Sequence, residues 1–242
     1  MCFTSTVKKR LQKVSKGYAE QVPAKDLMRS DGQIWYIPHH GVCHPTKKKI
    51  CVVFDCGASF QETSLNAQLL QGPDLTSSLI GVVTRFRKEP VVIMADIESM
   101  FHQVRVPPQD ADLLRFLWWP DGDLSQDPTD FRMLVHLFGA TSSPSCANFA
   151  LRKCAEDHKE EFDKETVDTI LHSFYVDDCL VSVATVEQAM TLYQELVSIC
   201  AKGGFRLTKW MSNRREVMAV IPEDQRAKTA KDLNIDRGIS IS

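Results

Sequence analysis

Apolar positions fall into short blocks between polar and turn-forming stretches, and the blocks predict strands and helices in irregular alternation. Ile50–Phe54 and Val91–Ala95 are unbroken apolar runs of strand length, rich in β-branched residues. Trp35–Pro38, Leu113–Trp119, Phe131–Phe138 and Phe205–Trp210 read as further strands. Two apolar runs, Phe174–Val176 and Leu180–Val183, flank Asp177-Asp178 in a hairpin pattern. After the turn Gly72-Pro73-Asp74, residues Leu75, Leu79, Val82, Val83 and Phe86 share one helical face, and Pro90 closes that helix. Ser143-Pro144 gives a capping serine and a first-turn proline to a helix reaching His158, followed by a charged linker. Val186–Ala201 is amphipathic and closed by Gly203-Gly204.

The first 30 residues are weakly patterned, one helix or a frayed end, and a His/Lys-rich loop runs from residue 39 through Lys49. A second loop, rich in Asp, Gly and Pro, spans Pro120 to Asp130. The pattern predicts an α+β fold, a sheet with helices packed on one face. Strand 91–95, helix 144–158, hairpin 174–183, helix 186–201 and strand 205–210 follow one another in a split-βαβ order.

Composition narrows the class. The 242 residues are 43% apolar and 25% charged, an ordinary globular balance for one or two domains. No run approaches the ~18–20 apolar residues of a membrane span. Met1–Arg10 carries charges with no apolar stretch behind them, unlike a signal peptide. The eight cysteines include no CxxC pair and read as reduced thiols, which predicts an intracellular, cytoplasmic protein with no membrane partner. His39, His40, Cys43 and His44 cluster without a second spaced set, so zinc is not expected. Trp118-Trp119 is expected in the core rather than stacked on bases. Charge is uneven. Residues 1–49 hold ten Lys/Arg against three acids, a local +7, which leaves −9 for residues 50–242 of a total of −2. Such asymmetry fits either a surface for a polyanion or a loose basic tail.

Three carboxylates stand out. Asp96 directly follows the run Val91–Ala95, and Asp177-Asp178 sit between two apolar strands. Taken singly, Asp96 is a polar strand end or a helix cap, and the pair is turn chemistry. If the strand ending at Asp96 lies beside the hairpin, all three converge on one sheet edge. Like charges so close raise one another's pKa unless a cation neutralises them. An all-oxygen donor set selects a hard ion such as Mg²⁺, and paired metals held this way serve phosphoryl transfer.

Phe174-Tyr175-Val176-Asp177-Asp178 resembles the YxDD box of reverse transcriptases, and MADIESMF (94–101) resembles the first catalytic motif of that family. The wider wording resembles the Pao/BEL class of long-terminal-repeat retrotransposons: WYIPHHGV (35–42), VVFDC (52–56), SLNAQLLQGPDL (64–75), FGATSSP (138–144) and GGFRLTKW (203–210). The similarity spans residues 18–233.

The resemblance implies right-hand polymerase fingers and palm, with a ferredoxin-like palm sheet. Residues 1–17 become a basic N-terminal segment, 18–90 mainly fingers, 91–221 mainly palm with inserted fingers elements, and 222–242 a tail without a thumb. It implies an RNA-directed DNA polymerase taking deoxynucleoside triphosphates and a primer on an RNA or DNA template, with Mg²⁺ as cofactor and Mn²⁺ as substitute. Asp96, Asp177 and Asp178 become the metal-binding carboxylates, and Lys209 a proton donor to pyrophosphate. Phe101 becomes the gate against a 2′-OH, Phe138-Gly139 lie under the incoming nucleotide, and Lys47, Lys48 and Lys49 approach phosphates. Core aromatics and solvated lysines are the structural alternatives for these last positions.

Two departures keep a second reading open. The family pattern places Arg before the VVFD run, where this chain has Cys51, and no sequence after Ser242 is at hand to build a thumb, RNase H or integrase. The alternatives are therefore an active polymerase domain and a non-catalytic relic or domesticated nucleic-acid-binding fold.

Overall fold

The computed structural model describes residues 14–43, 50–120 and 123–228, with only the backbone at Cys43, Ile50 and Cys51. His44 and Lys47–Lys49 lie outside the described residues. Along the chain run β1 (Ala19–Gln21), α1 (Ala24–Leu27), β2 (His39–Cys43), β3 (Ile50–Phe54), β4 (Ser59–Phe60), β5 (Thr63–Ser64) and α2 (Leu65–Gln68). Next come α3 (Leu79–Phe86), β6 (Val91–Ile97), α4 (Met100–Gln103), a 3₁₀ turn at Pro108–Leu114, β7 (Arg115–Trp118) and β8 (Thr129–Met133). The remainder is α5 (Ser143–Asp157), α6 (Lys164–His172), β9 (Phe174–Tyr175), β10 (Asp178–Val183), α7 (Val186–Lys202), β11 (Leu207–Ser212) and α8 (Arg215–Val220). Among the described residues no helix is long and apolar enough to cross a membrane.

The chain divides into two compact units, residues 1–72 with 101–144, and residues 73–100 with 145–242. The first unit holds an antiparallel sheet of order β1-β8-β7 and the antiparallel pairs β2-β3 and β4-β5. Its core gathers Ile37, Phe54, Phe116, Trp118, Phe131, Met133 and Leu137. Trp118 is buried there and Trp119 packs against the same cluster, as core aromatics. The second unit holds an antiparallel sheet of order β11-β6-β10-β9. Strand alternation buries Val91, Ile93, Ala95 and Ile97 of β6 beside Cys179, Val181 and Val183 of β10. Helix α7 packs on both strands, burying Leu192, Leu196 and Ile199, and a Thr185–Gln188 capping box starts it.

Several elements differ from the pattern-based expectation. Trp35–Pro38 forms no strand; Tyr36 makes a single bridge to Arg115, and the strand falls instead on His39–Cys43, within the expected loop. The polar side chains of β2 hid it, since its partner β3 supplies the apolar run. Helix α3 starts at Leu79 rather than near Leu75, because the Asp74 carboxylate accepts from the Thr76 backbone N–H and holds a turn. The expected 131–138 strand is β8, shifted to Thr129–Met133. Helix α6 occupies the expected charged linker. Its buried face includes Thr166 and Thr169 with Val167 and Ile170, and half of that surface is polar in sequence.

Candidate active site

Strand β6 ends in Asp96-Ile97, and its register with β10 sets Asp178 directly opposite Asp96. The β9–β10 pairing opposes Asp178 to Tyr175, so the hairpin loop is Val176-Asp177. Val176 has φ +56°, a conformation a β-branched residue enters only under strain, of order ~1–3 kcal/mol. The Ile97 N–H donates to the Asp177 carbonyl at 2.8 Å, which ties this loop to the end of β6. Three carboxylates thus share one end of the sheet, since β6 does lie beside the hairpin.

Strand β11 adds a cation from the other side of β6. Thr208 pairs with Asp96, and the register shifts between Thr208 and Met211. Within that bulge Lys209 has φ +54°, and its Nζ lies 2.5 Å from Asp96 Oδ2. The bulge re-aims a side chain that regular alternation would direct elsewhere. Loss of solvation, then the charges of Asp177 and Asp96, push the Asp178 carboxyl above its ordinary value, while Lys209 opposes them. Arg206 pairs with Glu98 at 2.8 Å nearby. Among the described residues no group of three or more His, Cys, Asp or Glu side chains is gathered closely enough to hold a metal ion as it stands. The chemistry of the three side chains suits a hard divalent cation: all their donor atoms are oxygen, and the repulsion felt at Asp178 is what a cation would relieve.

Phe101, Phe138 and Gly139 lie in the first unit. Phe101 and Phe138 pair at 5.7 Å between ring centroids. Phe138 is 73% exposed, which is not how a core aromatic sits, and Phe101 is half-buried. Gly139 has φ +106°, and a Cβ there would meet the Phe54 carbonyl oxygen at 3.1 Å, so the turn requires glycine.

A family model described as reverse transcriptase (RNA-dependent DNA polymerase) matches residues 65–210. The chain belongs to the reverse transcriptase family. A solved foamy viral protease–reverse transcriptase, determined in complex with double-stranded DNA, superposes with a TM-score of 0.59 at 14% identity. The match covers 81% of this chain and 28% of that one, and at such identity it speaks for the fold. No curated protein sequence matches significantly.

In this reverse transcriptase domain the turn bearing Phe138 has a tether that no local sequence signal marks. Asn66 donates from Nδ2 to the Gly139 carbonyl at 3.0 Å and accepts from the Thr141 N–H at 2.9 Å, clamping the turn that bears Phe138. Its partners lie 73 and 75 positions away, beyond any local spacing signal.

Proposed function

We propose that this chain is the fingers-and-palm part of a Pao/BEL-class reverse transcriptase, adding deoxynucleotides to a primer 3′-OH by two-metal phosphoryl transfer. The observation that carries the reading is Asp178 opposite Asp96 in register, with Asp177 in the adjoining loop and Lys209 on Asp96. In this reading the second unit supplies a split-βαβ palm and the first supplies fingers elements. Asp96, Asp177 and Asp178 would hold Mg²⁺ or Mn²⁺, which when bound neutralises charge on the reacting phosphates. Lys209, paired with Asp96, serves as the proton donor to the departing pyrophosphate. Phe101 bars a ribonucleotide 2′-OH, Phe138 and Gly139 underlie the base, and Lys47–Lys49 meet phosphates as flexible point charges. The partners are primer–template and deoxynucleoside triphosphates.

Primer extension by the purified chain tests this. The reading requires templated extension that depends on added Mg²⁺ or Mn²⁺. A protein that binds metal and primer yet extends nothing is the non-catalytic nucleic-acid-binding alternative.

Two expectations concern nucleotide use. Phe101→Ala should admit ribonucleotides, because removing the ring opens the space of the 2′-OH; comparison of ribo- and deoxynucleotide incorporation decides it, and equal exclusion by both proteins removes the gate. Cys51→Arg should improve nucleotide use, since a guanidinium adds a charge-assisted grip on triphosphate worth ~1.5–3 kcal/mol, roughly ten- to a hundredfold. The gain should appear as a lowered nucleotide KM, and an unchanged KM means that position 51 does not meet the triphosphate.

A further inference from the structure

The β9–β10 hairpin presents two of the three carboxylates, yet β9 has only two residues and lies at the sheet edge, paired with β10 alone. Beyond two residue pairs, the Leu180 N–H to Ser173 carbonyl bond at 2.9 Å is what continues the ladder. So short an edge strand is not fixed by its own hydrogen bonds. By contrast, β10 is held along six register pairs by β6.

Helix α3 packs on both hairpin strands, and Arg85 in its last turn is joined to β10 and to the end of α6 just before β9. Its guanidinium Nη2 donates to the His172 carbonyl, at the end of α6 and two residues before β9. Its own carbonyl accepts from Ser182 Oγ of β10 at 2.8 Å, and Ser182 Oγ also accepts from the Glu89 N–H at 3.1 Å. Arg152 of α5 donates to the neighbouring Leu171 carbonyl at 2.9 Å. Two cations therefore bond carbonyls at the C-terminus of α6, with Ser77 Oγ also donating to Leu171 at 3.5 Å, and favour that negative helix end.

We propose that Arg85 is a positioning residue of the polymerase site, a clamp that fastens the entry of β9 to the firmly held strand β10 and so steadies the β9 side of the loop, adding to the Asp178–Asp96 register and the Ile97–Asp177 bond that hold its other side. The proposal rests on the polymerase reading only for its kinetic consequence; the clamp itself is a statement about the hairpin. Arg85 touches no reacting group. It acts from the opposite end of β10, some four residues or roughly 13 Å from Asp178. Misplacing reacting groups by about 1 Å costs up to about a hundredfold in rate, so a small loosening at this distance is felt at the loop.

The test compares wild type, Arg85→Ala, Arg85→Lys and Ser182→Ala as full chains. Hydrogen exchange is read in peptides covering 173–182, with peptides covering 91–97 of β6 as the internal control, and primer extension gives kcat and nucleotide KM. Arg85→Ala should speed exchange in the hairpin while leaving β6 unchanged, and lower kcat about ten- to a hundredfold with KM within about twofold. Arg85→Lys keeps a charged donor and should recover part of both losses. A folded Arg85→Ala protein with wild-type hairpin exchange and wild-type kcat overturns the clamp. Equal acceleration in hairpin and β6 overturns it too, because that is general destabilisation. Should Arg85→Ala not fold, the same two readouts on Arg85→Lys and Ser182→Ala decide in the same way. If wild type extends no primer, the polymerase reading fails, and hairpin exchange alone upholds or overturns the clamp.

Discussion

Replacing Asp112 with alanine should destabilise the first unit by about 3–5 kcal/mol, the cost of removing one partner from a buried ionic cluster. Asp112 and Arg115 are both fully buried. Asp112 Oδ1 accepts from Arg115 Nε at 2.8 Å and from Arg132 Nη1 at 3.2 Å, and Oδ2 accepts from Arg29 Nη1 at 2.7 Å. One carboxylate thus serves three guanidinium groups brought in by three different segments. Arg29 keeps Asp31, and Arg132 keeps Glu20 and Asp26, when Asp112 is lost. Arg115 keeps only neutral partners, the Asp26 carbonyl and the Tyr36 hydroxyl, and its buried charge then has no counter-ion of its own. Burial alone would raise the Asp112 carboxyl, but the three arginines outweigh it and hold the group below its ordinary 3.8. A depressed carboxyl contributes stability that is complete above 3.8 and is lost as pH falls through the folded value, so the cluster should fail only in strong acid. Denaturant unfolding with hydrogen exchange in peptides covering β1 and β8 measures the effect. Wild-type protection of those peptides in Asp112→Ala would mean the cluster is not what holds the N-terminal segment.

Asp177→Asn should abolish primer extension, lowering kcat by about 10³-fold or more, because a metal-binding charge is worth several kcal/mol in the transition state. The substitution is nearly isosteric and leaves the backbone bond from Ile97 to the Asp177 carbonyl in place. The melting temperature should therefore stay close to wild type while activity is lost. Activity within about tenfold of wild type would remove Asp177 from the chemistry.

The hairpin, strand β6 and helix α7 were legible in the sequence because each carries its own local signal: a run of apolar residues, an Asp pair between two such runs, an amphipathic stretch with closing glycines. Their juxtaposition was legible only as a condition, that β6 lies beside the hairpin, and the register of Asp178 on Asp96 meets it. Helix α6 was not legible, since its buried face is half threonine among acids and lysines. Neither was strand β2, whose His-rich side chains carry no strand pattern. Side-chain partnerships across long separations left no trace either: Asn66 with the Gly139 turn, Arg85 with His172, and Asp112 with Arg29. Lys209 was legible as a lysine in a motif, but not that a bulge with φ +54° turns it onto Asp96.

Polymerase chemistry in this chain requires above all that Asp96 and Asp177 form one cation site. Titration of the wild-type chain with Mn²⁺, followed by the loss of the free-ion paramagnetic signal, tests this without requiring turnover. Asp96→Asn and Asp177→Asn each remove a ligand charge, and each should weaken Mn²⁺ binding about tenfold or more while the protein remains folded. Wild-type Mn²⁺ affinity in both variants would contradict the site.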